Sequence, residues 1–237
     1  GLVAPAVENN GSIVARLGKV KLSSGDTFTL DMAGDDLINV AVNSSALNTQ
    51  LVSNAGSISA SGGLVELGAG AARNAIDSLV INKGSIEANS VSQKNGVIVL
   101  SNNSAGGKVE NAGTIAASGG TVDLLADDVR VSGMVDVSGI NNGGQIRIGG
   151  DYQGLGELRR SLMTSVSEYA LLRASALENG NGGTIVVWSD GDTHFHGTAE
   201  AMGGINSGNG RLVETSALGH LDIQSAPVSS RAIAGNT

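Results

Sequence analysis

Short stretches of alternating apolar and polar residues recur along the whole chain. They include 20–22, 65–67, 97–100, 122–124 and 146–148, each built on Val, Leu or Ile at every second position. A period of two gives an extended strand one inward and one outward face. Each stretch follows a copy of a second pattern, V-x-N-x-G-S/T-I-x-A. Copies begin at Val7, Val52, Val80 and Val109, with a looser one at Val129. Strands of three or four residues are not stable alone. Stacked copies bury a continuous aliphatic core and pair each backbone group with the copies above and below. The pattern therefore predicts an all-β fold, a right-handed parallel β-helix, as one domain over residues 1–237. Rungs of about 20 to 25 residues would give roughly ten turns, a rod of about 50 Å at about 4.8 Å per turn. The copies start 45, 28, 29 and 20 residues apart. Such intervals suit a coil whose rungs carry loops, not a strict repeat or a propeller.

The repeat positions carry the structural roles. Ile13, Ile58, Ile86 and Ile115 face inward, and Gly11, Gly56, Gly84 and Gly113 supply the bends. Asn9, Asn54, Asn82 and Asn111 share one position, where they either stack as an amide ladder or serve only as turn formers. Ser12, Ser57, Ser85 and Thr114 would form a parallel hydroxyl row. A different cassette occupies 135–148, 172–187 and 198–213: strand, Gly/Asn-rich loop, strand. Two stretches break the pattern. Residues 26–50 suggest irregular extra strands. Residues 155–170 have the best local helix propensity in the chain. They predict a surface excursion with a short helix, before a strand that re-enters the coil near Ala170.

Composition sharpens this picture. The chain has 36 Gly, no Cys, and only two Pro, at Pro5 and Pro227, so the interior holds no residue that forbids a strand hydrogen bond. The absence of cysteine excludes disulfides, thiol catalysis and cysteine metal sites, and suits a chain that crosses a membrane unfolded. A net charge of −8 with scattered basic residues argues against nucleic acid. No apolar run is long enough for a membrane-spanning helix. The chain starts with Gly rather than Met and has no signal peptide, which reads as a processed chain or an excised fragment.

Residues 2–22 and 25–42 resemble the filamentous-haemagglutinin type of two-partner secretion exoprotein. So do GGQIRIGGDYQG at 143–154, GNGGTIVVWSD at 180–190, THFHG at 193–197 and GNGRLVETS at 208–216. This resemblance implies a right-handed parallel β-helix exported from a Gram-negative bacterium through an outer-membrane transporter barrel. Family members are adhesins, haemagglutinins, contact-dependent toxins or haem-acquisition proteins. The Asn-Pro-Asn motifs of the secretion domain are absent, so the resemblance places this chain in the rod just downstream of that domain.

The chemical inventory is sparse, and neither a catalytic residue nor a cofactor is expected. His194 and His196 would share one strand face about 7 Å apart, a spacing that suits a metal. His220 is the only other imidazole and no cysteine can help, so the set falls short of the three or four ligands of zinc, and a polar face flanking an inward Phe195 accounts for the pair as well. Asp35 with Asp36, Asp127 with Asp128, and Asp190 with Asp192 are read as solvated carboxylates, since the calcium-binding nonapeptide is missing. Phe28, Tyr152, Tyr169, Trp188 and Phe195 are too dispersed for a sugar-stacking groove. Trp188 is read as a rung residue capping a layer. The expectation is a secreted, cell-surface structural or adhesive rod, not an enzyme. It would self-associate head to tail into an extracellular filament, or bind another extracellular protein or glycan. The alternatives are a cargo binder of the haem-acquisition kind, with 155–170 as its site, and a β-helix polysaccharide lyase.

Overall fold

The computed structural model describes residues 1–25, 49–70, 77–91, 95–224, 226–232 and 234–235. These fold as a right-handed parallel β-helix of three sheets, each with eight strands. One rung is three consecutive strands, one in each sheet. The fifth rung, for example, comprises Thr121–Leu125, Asp128–Val131 and Met134–Asp136. Every strand pairs in parallel with its counterpart one rung away.

The register explains why like residues recur. In the first sheet Val20, Val65, Ile98, Val122, Ile146 and Ile185 lie side by side, as do Leu22, Leu67, Leu100, Leu124, Ile148 and Val187. In the third sheet Ile13, Ile58, Ile86, Ile115, Val135 and Leu172 form one column. Most of these side chains are fully buried, each stabilising the coil by about 1.5–3 kcal/mol. Ser12, Ser57, Ser85 and Thr114 form the adjacent outward column.

The four repeat asparagines make an amide ladder inside the coil. The Nδ2 of Asn9 donates to the Oδ1 of Asn54, Asn54 to Asn82, and Asn82 to Asn111, each at 2.8 Å. From the fifth rung the same column turns apolar, through Val131, Val166, Phe195 and Ile223. The neighbouring valine column gives way to Thr164 and Thr193 before Leu221. Their buried hydroxyls donate to the carbonyls of Trp188, at 2.7 Å, and Ser216, at 2.9 Å.

Two corners are set by glycine. Between the second and third sheets, Gly11, Gly56, Gly84, Gly113 and Gly133 stack so closely that a Cβ on any of the last four would overlap the carbonyl oxygen of the glycine one rung below. That carbonyl also accepts the N–H that starts the next strand, as in Ser85 N to Gly56 O at 3.0 Å. Gly18, Gly63, Gly96, Gly120, Gly144 and Gly183 line the corner from the third sheet to the first. The corner from the first sheet to the second differs. Only Pro5 separates the strands in the first rung, whereas 149–162 intervene in the sixth. The irregular repeat interval arises at this corner and, in later rungs, at the Gly/Asn loops. Those loops also stack, with Asn181 N donating to Asn142 Oδ1 at 3.0 Å and Asn209 N to Asn181 Oδ1 at 2.8 Å.

Three expectations change. There are eight rungs among the described residues, not about ten, because loops occupy chain counted as rungs. Residues 155–170 form no α-helix. Tyr152–Gly154 is a single 3-10 turn capped by Asp151, and Met163–Val166 is a strand of the second sheet, so the chain re-enters earlier than Ala170. Alternation in that strand, with Thr164 and Val166 buried, overrides helix propensity. Trp188 does not cap an inner layer. It faces outward from the first sheet and is buried under the loop at Gly150 and Gly154. Of the stretch 26–50, residues 26–48 lie outside the described residues, and Thr49–Asn54 is a second-sheet strand.

Candidate functional site

Two neighbouring surface features on rungs six to eight gather the polar chemistry. The first is the excursion 149–162, which folds over the first sheet. Positive φ at Gly149, Gly150, Gly154 and Gly156 lets the chain curl tightly. The indole Nε1 of Trp188 donates to Asp190 Oδ1 at 3.0 Å, and Arg160 pairs with Asp190 Oδ2 at 3.0 Å. Arg147 clamps Asp123 through two bonds of 2.7 and 2.8 Å and reaches Asp151 at 3.2 Å. The bond to Asp123 raises the Arg147 pKa further above its ordinary value. Arg159 pairs with Asp127, and Arg130 with Asp128 at 2.8 Å. Asp127, Asp128 and Asp190, read from sequence as solvated loop carboxylates, are therefore arginine partners. Asp35 and Asp36 lie outside the described residues.

The second feature is the outer face of the second sheet. His194 lies on the strand Asp192–Phe195, between inward Thr193 and Phe195. His196 follows where that strand ends. The strand Leu221–Ile223 of the eighth rung pairs beside it, with His194 opposite Asp222. Asp222 Oδ2 lies 3.0 Å from His196 Nε2 and 3.5 Å from His194 Nδ1. The hydrogen bond with His196, helped by His194 and Gln224, holds the Asp222 carboxyl below its usual pKa. His220 stands on the other side of His194, with ring centroids 6.4 Å apart, the same separation as between His194 and His196. The backbone N–H of His220 donates to Asp192 Oδ1 at 3.2 Å. A shallow open groove of about 600 Å³ borders this cluster, lined by His196, Ser167, Gln224 and the exposed Tyr169.

The sequence pairs His194 with His196 and names His220 as the remaining imidazole, but it misses Asp222 and the register that brings Asp222 and His220 beside His194. Their signal lies in aligning THF at 193–195 with LDI at 221–223, since both alternate inward and outward in one sheet. The repeat positions Asn9 to Asn111, Gly11 to Gly113 and Ile13 to Ile115 lie on the opposite half of the rod, in its first four rungs, and hold the coil together. No helix among the described residues is long and apolar enough to cross a membrane.

No family model matches the chain. Over 83 residues, 35% of its length, it is 46% identical to a heme/hemopexin-binding protein of Haemophilus influenzae, of which that stretch is 8%. Among solved structures it is similar to the HMW1 secretion domain of Haemophilus influenzae, with a TM-score of 0.75 and 27% identity. That match covers 98% of this chain and 60% of the secretion-domain chain. The chain thus spans a small part of the one relative and less than two thirds of the other. The likeness is to a structure described as a secretion domain, while the Asn-Pro-Asn motifs are missing from this sequence. In fold and rung register the chain is thus similar to the β-helix of a secretion domain, in line with its sequence resemblance to two-partner secretion exoproteins of the filamentous-haemagglutinin type.

Proposed function

We propose that the chain is a section of a structural or adhesive rod at the bacterial surface, exported through an outer-membrane transporter barrel and without catalytic activity of its own. The observation that carries this reading is the likeness to a secretion domain over nearly the whole chain. The geometry supports a mechanical role. Three continuous sheets run through eight rungs, and among the described residues their outermost strands, such as Leu2–Ala4 and Leu212–Ala217, pair on one side only, where either further rungs of a longer chain or a second copy would stack. An open strand edge is a template for another strand. A second copy stacked there makes a head-to-tail contact, which propagates rather than closes. Electron microscopy of the purified chain across a concentration series tests this, together with binding to immobilised glycans and host-cell surfaces. Concentration-dependent filaments, or short rods that adhere to a surface, are the expected results. Strict monomers that bind no surface would refute the reading, and turnover of acidic glycans would refute its non-enzymatic part.

The 46% identity to a heme/hemopexin-binding protein favours a second reading, capture of a haem-carrying cargo. The excursion 149–162 and the groove beside Tyr169 are the surfaces available for it. Pull-down with haem and hemopexin, before and after shortening the loop across 155–160, separates this reading from the first.

A further inference from the structure

We propose that the groove between Tyr169 and Pro227 is a binding site for a neutral sugar ring. Its shape follows from the corner that joins the second sheet to the third. Two residues make this corner in each of the first five rungs and again, as His196 and Gly197, in the seventh. Four residues make it in the sixth rung, at 167–170, and in the eighth, at 224–227. A short corner thus lies between two long ones, and the surface is notched there. Tyr169 belongs to one bank and Pro227 to the other, while His196 and Thr198 line the space between. Banks two rungs apart are separated by about 9.6 Å, at about 4.8 Å per rung. A flat ring in contact at about 3.5–4 Å on each face needs about 7–8 Å. The notch therefore admits one saccharide ring, and its volume of about 600 Å³ lies in the range of small-ligand sites.

The lining suits a sugar as well. Tyr169 is 79% exposed, more than any other large apolar side chain among the described residues. The bond from Ala170 N to Ser167 O, at 3.0 Å, closes a turn that carries Glu168 and Tyr169 at its tip. An aromatic ring held out in water offers its face to the C–H face of a sugar, and a tyrosine loses little conformational freedom on binding. Around it stand polar atoms with hydrogen-bonding capacity to spare. His196 meets Asp222 through Nε2, which leaves Nδ1. Gln224 gives Nε2 to Asp222 Oδ1, which leaves its own Oε1. Ser167 Oγ is buried without a partner. Sugar hydroxyls both donate and accept, so they match such a mixed set. Charge then selects among sugars. Glu168 lines the groove, Asp222 lies beside it, and no Lys or Arg is among the lining residues. Sialylated and sulfated sugars are repelled there, and neutral hexoses are not.

This site deepens the adhesive reading above and rests on it for the class of partner. The test is saturation-transfer NMR of the whole chain with lactose, maltose and cellobiose, beside sialyllactose and a heparin disaccharide, run together with adhesion to host-cell surfaces. Saturable binding of at least one neutral probe is expected. Tyr169→Ala should weaken it by about tenfold or more, Tyr169→Phe should restore it, and Tyr152→Ala, on the exposed tyrosine outside the groove, should leave it unchanged. Circular dichroism confirms that each variant is folded. No binding of a neutral probe while adhesion persists, or equal binding by wild type and Tyr169→Ala, overturns the site and leaves the adhesive reading standing. No binding to any saccharide or surface overturns both. Preference for the acidic probes overturns the neutral assignment. Adhesion to enzymatically deglycosylated cells that depends on Tyr169 gives the groove to a protein partner and overturns the sugar.

Discussion

Replacing Asn82 with Val should destabilise the rod by about 2–6 kcal/mol. Asn82 sits in the middle of the amide ladder with no solvent exposure. Its Oδ1 accepts from Asn54 and its Nδ2 donates to Asn111, both at 2.8 Å. Its Nδ2 also meets the carbonyls of Gly84 and Thr114 at 3.3 and 3.4 Å. Valine fits the volume, as Val131 shows one rung past the end of the ladder. It offers neither donor nor acceptor, so the amides on both sides each lose a partner in a place water does not reach. A buried polar group left short of a bond costs about 1–3 kcal/mol, and two such losses give the range. For a chain of this size that is a fall in Tm of roughly 4–24 °C. Urea unfolding followed by circular dichroism measures it as a shift in midpoint at unchanged slope. The ladder logic makes a second, sharper demand. Once Asn82 is Val, removing Asn111 as well should cost less than removing Asn111 from the intact ladder, because its partner is already gone. Additive costs for the two substitutions, or a single cost below about 0.5 kcal/mol, would falsify the view that the four amides act as one chain.

Gly84→Ala should cost more than about 3 kcal/mol or prevent folding, since its Cβ meets the backbone carbonyl of Gly56, whereas Gly106→Ala, with open space around it and only a positive φ to strain, should cost about 1–2 kcal/mol; thermal melts of the pair compare them directly. Arg160→Ala removes the ion pair that holds Asp190 against the indole, so the emission of Trp188, the single tryptophan of the chain, should shift to the red; an unchanged spectrum would show that the loop stays closed without it. Asp222 has a lowered pKa in the folded chain, so its contribution to stability is present above the ordinary carboxylate pKa of about 4 and is lost as pH falls through the lower folded value. Asp222→Asn should therefore flatten the acid limb of the stability profile below about pH 4, and an identical acid limb in the variant would count against the pairing.

The coil was legible because stacking imposes one requirement at each height. A residue at a given column in one rung meets its counterparts above and below, so Val7, Val52, Val80 and Val109 repeat, as do the asparagines and glycines after them. Where loops lengthen, the sequence loses its phase. Nothing local tells that Asp222 lies beside His194, because their registration depends on the path taken between the two rungs. Residues 155–170 misled for a related reason. Leu, Glu and Arg there favour a helix in isolation, yet Thr164 and Val166 complete two inward columns that a helix would leave open. Trp188 misled because an outward position on a strand is ordinarily wet, and here a loop from another rung covers it. Three of the loop aspartates were read as free because their arginine partners are distant in sequence or on an alternating strand face.

The unequal corners divide the molecule into a part that cannot vary in length and a part that can. Across the first five rungs two residues join the second sheet to the third, and the stacked glycines there leave no room for more. Passage from the first sheet to the second ranges from one residue to a fourteen-residue flap in the rungs described throughout. New sequence entering at that edge leaves pitch and register untouched. A lineage of such rods can therefore diversify at that corner and at the Gly/Asn loops of the later rungs while its scaffold stays fixed, and a foreign peptide spliced into the turn at 103–107 should be displayed there at the cost of the turn's own bonds, such as Gly106 N to Asp127 Oδ2, and not of the ladder.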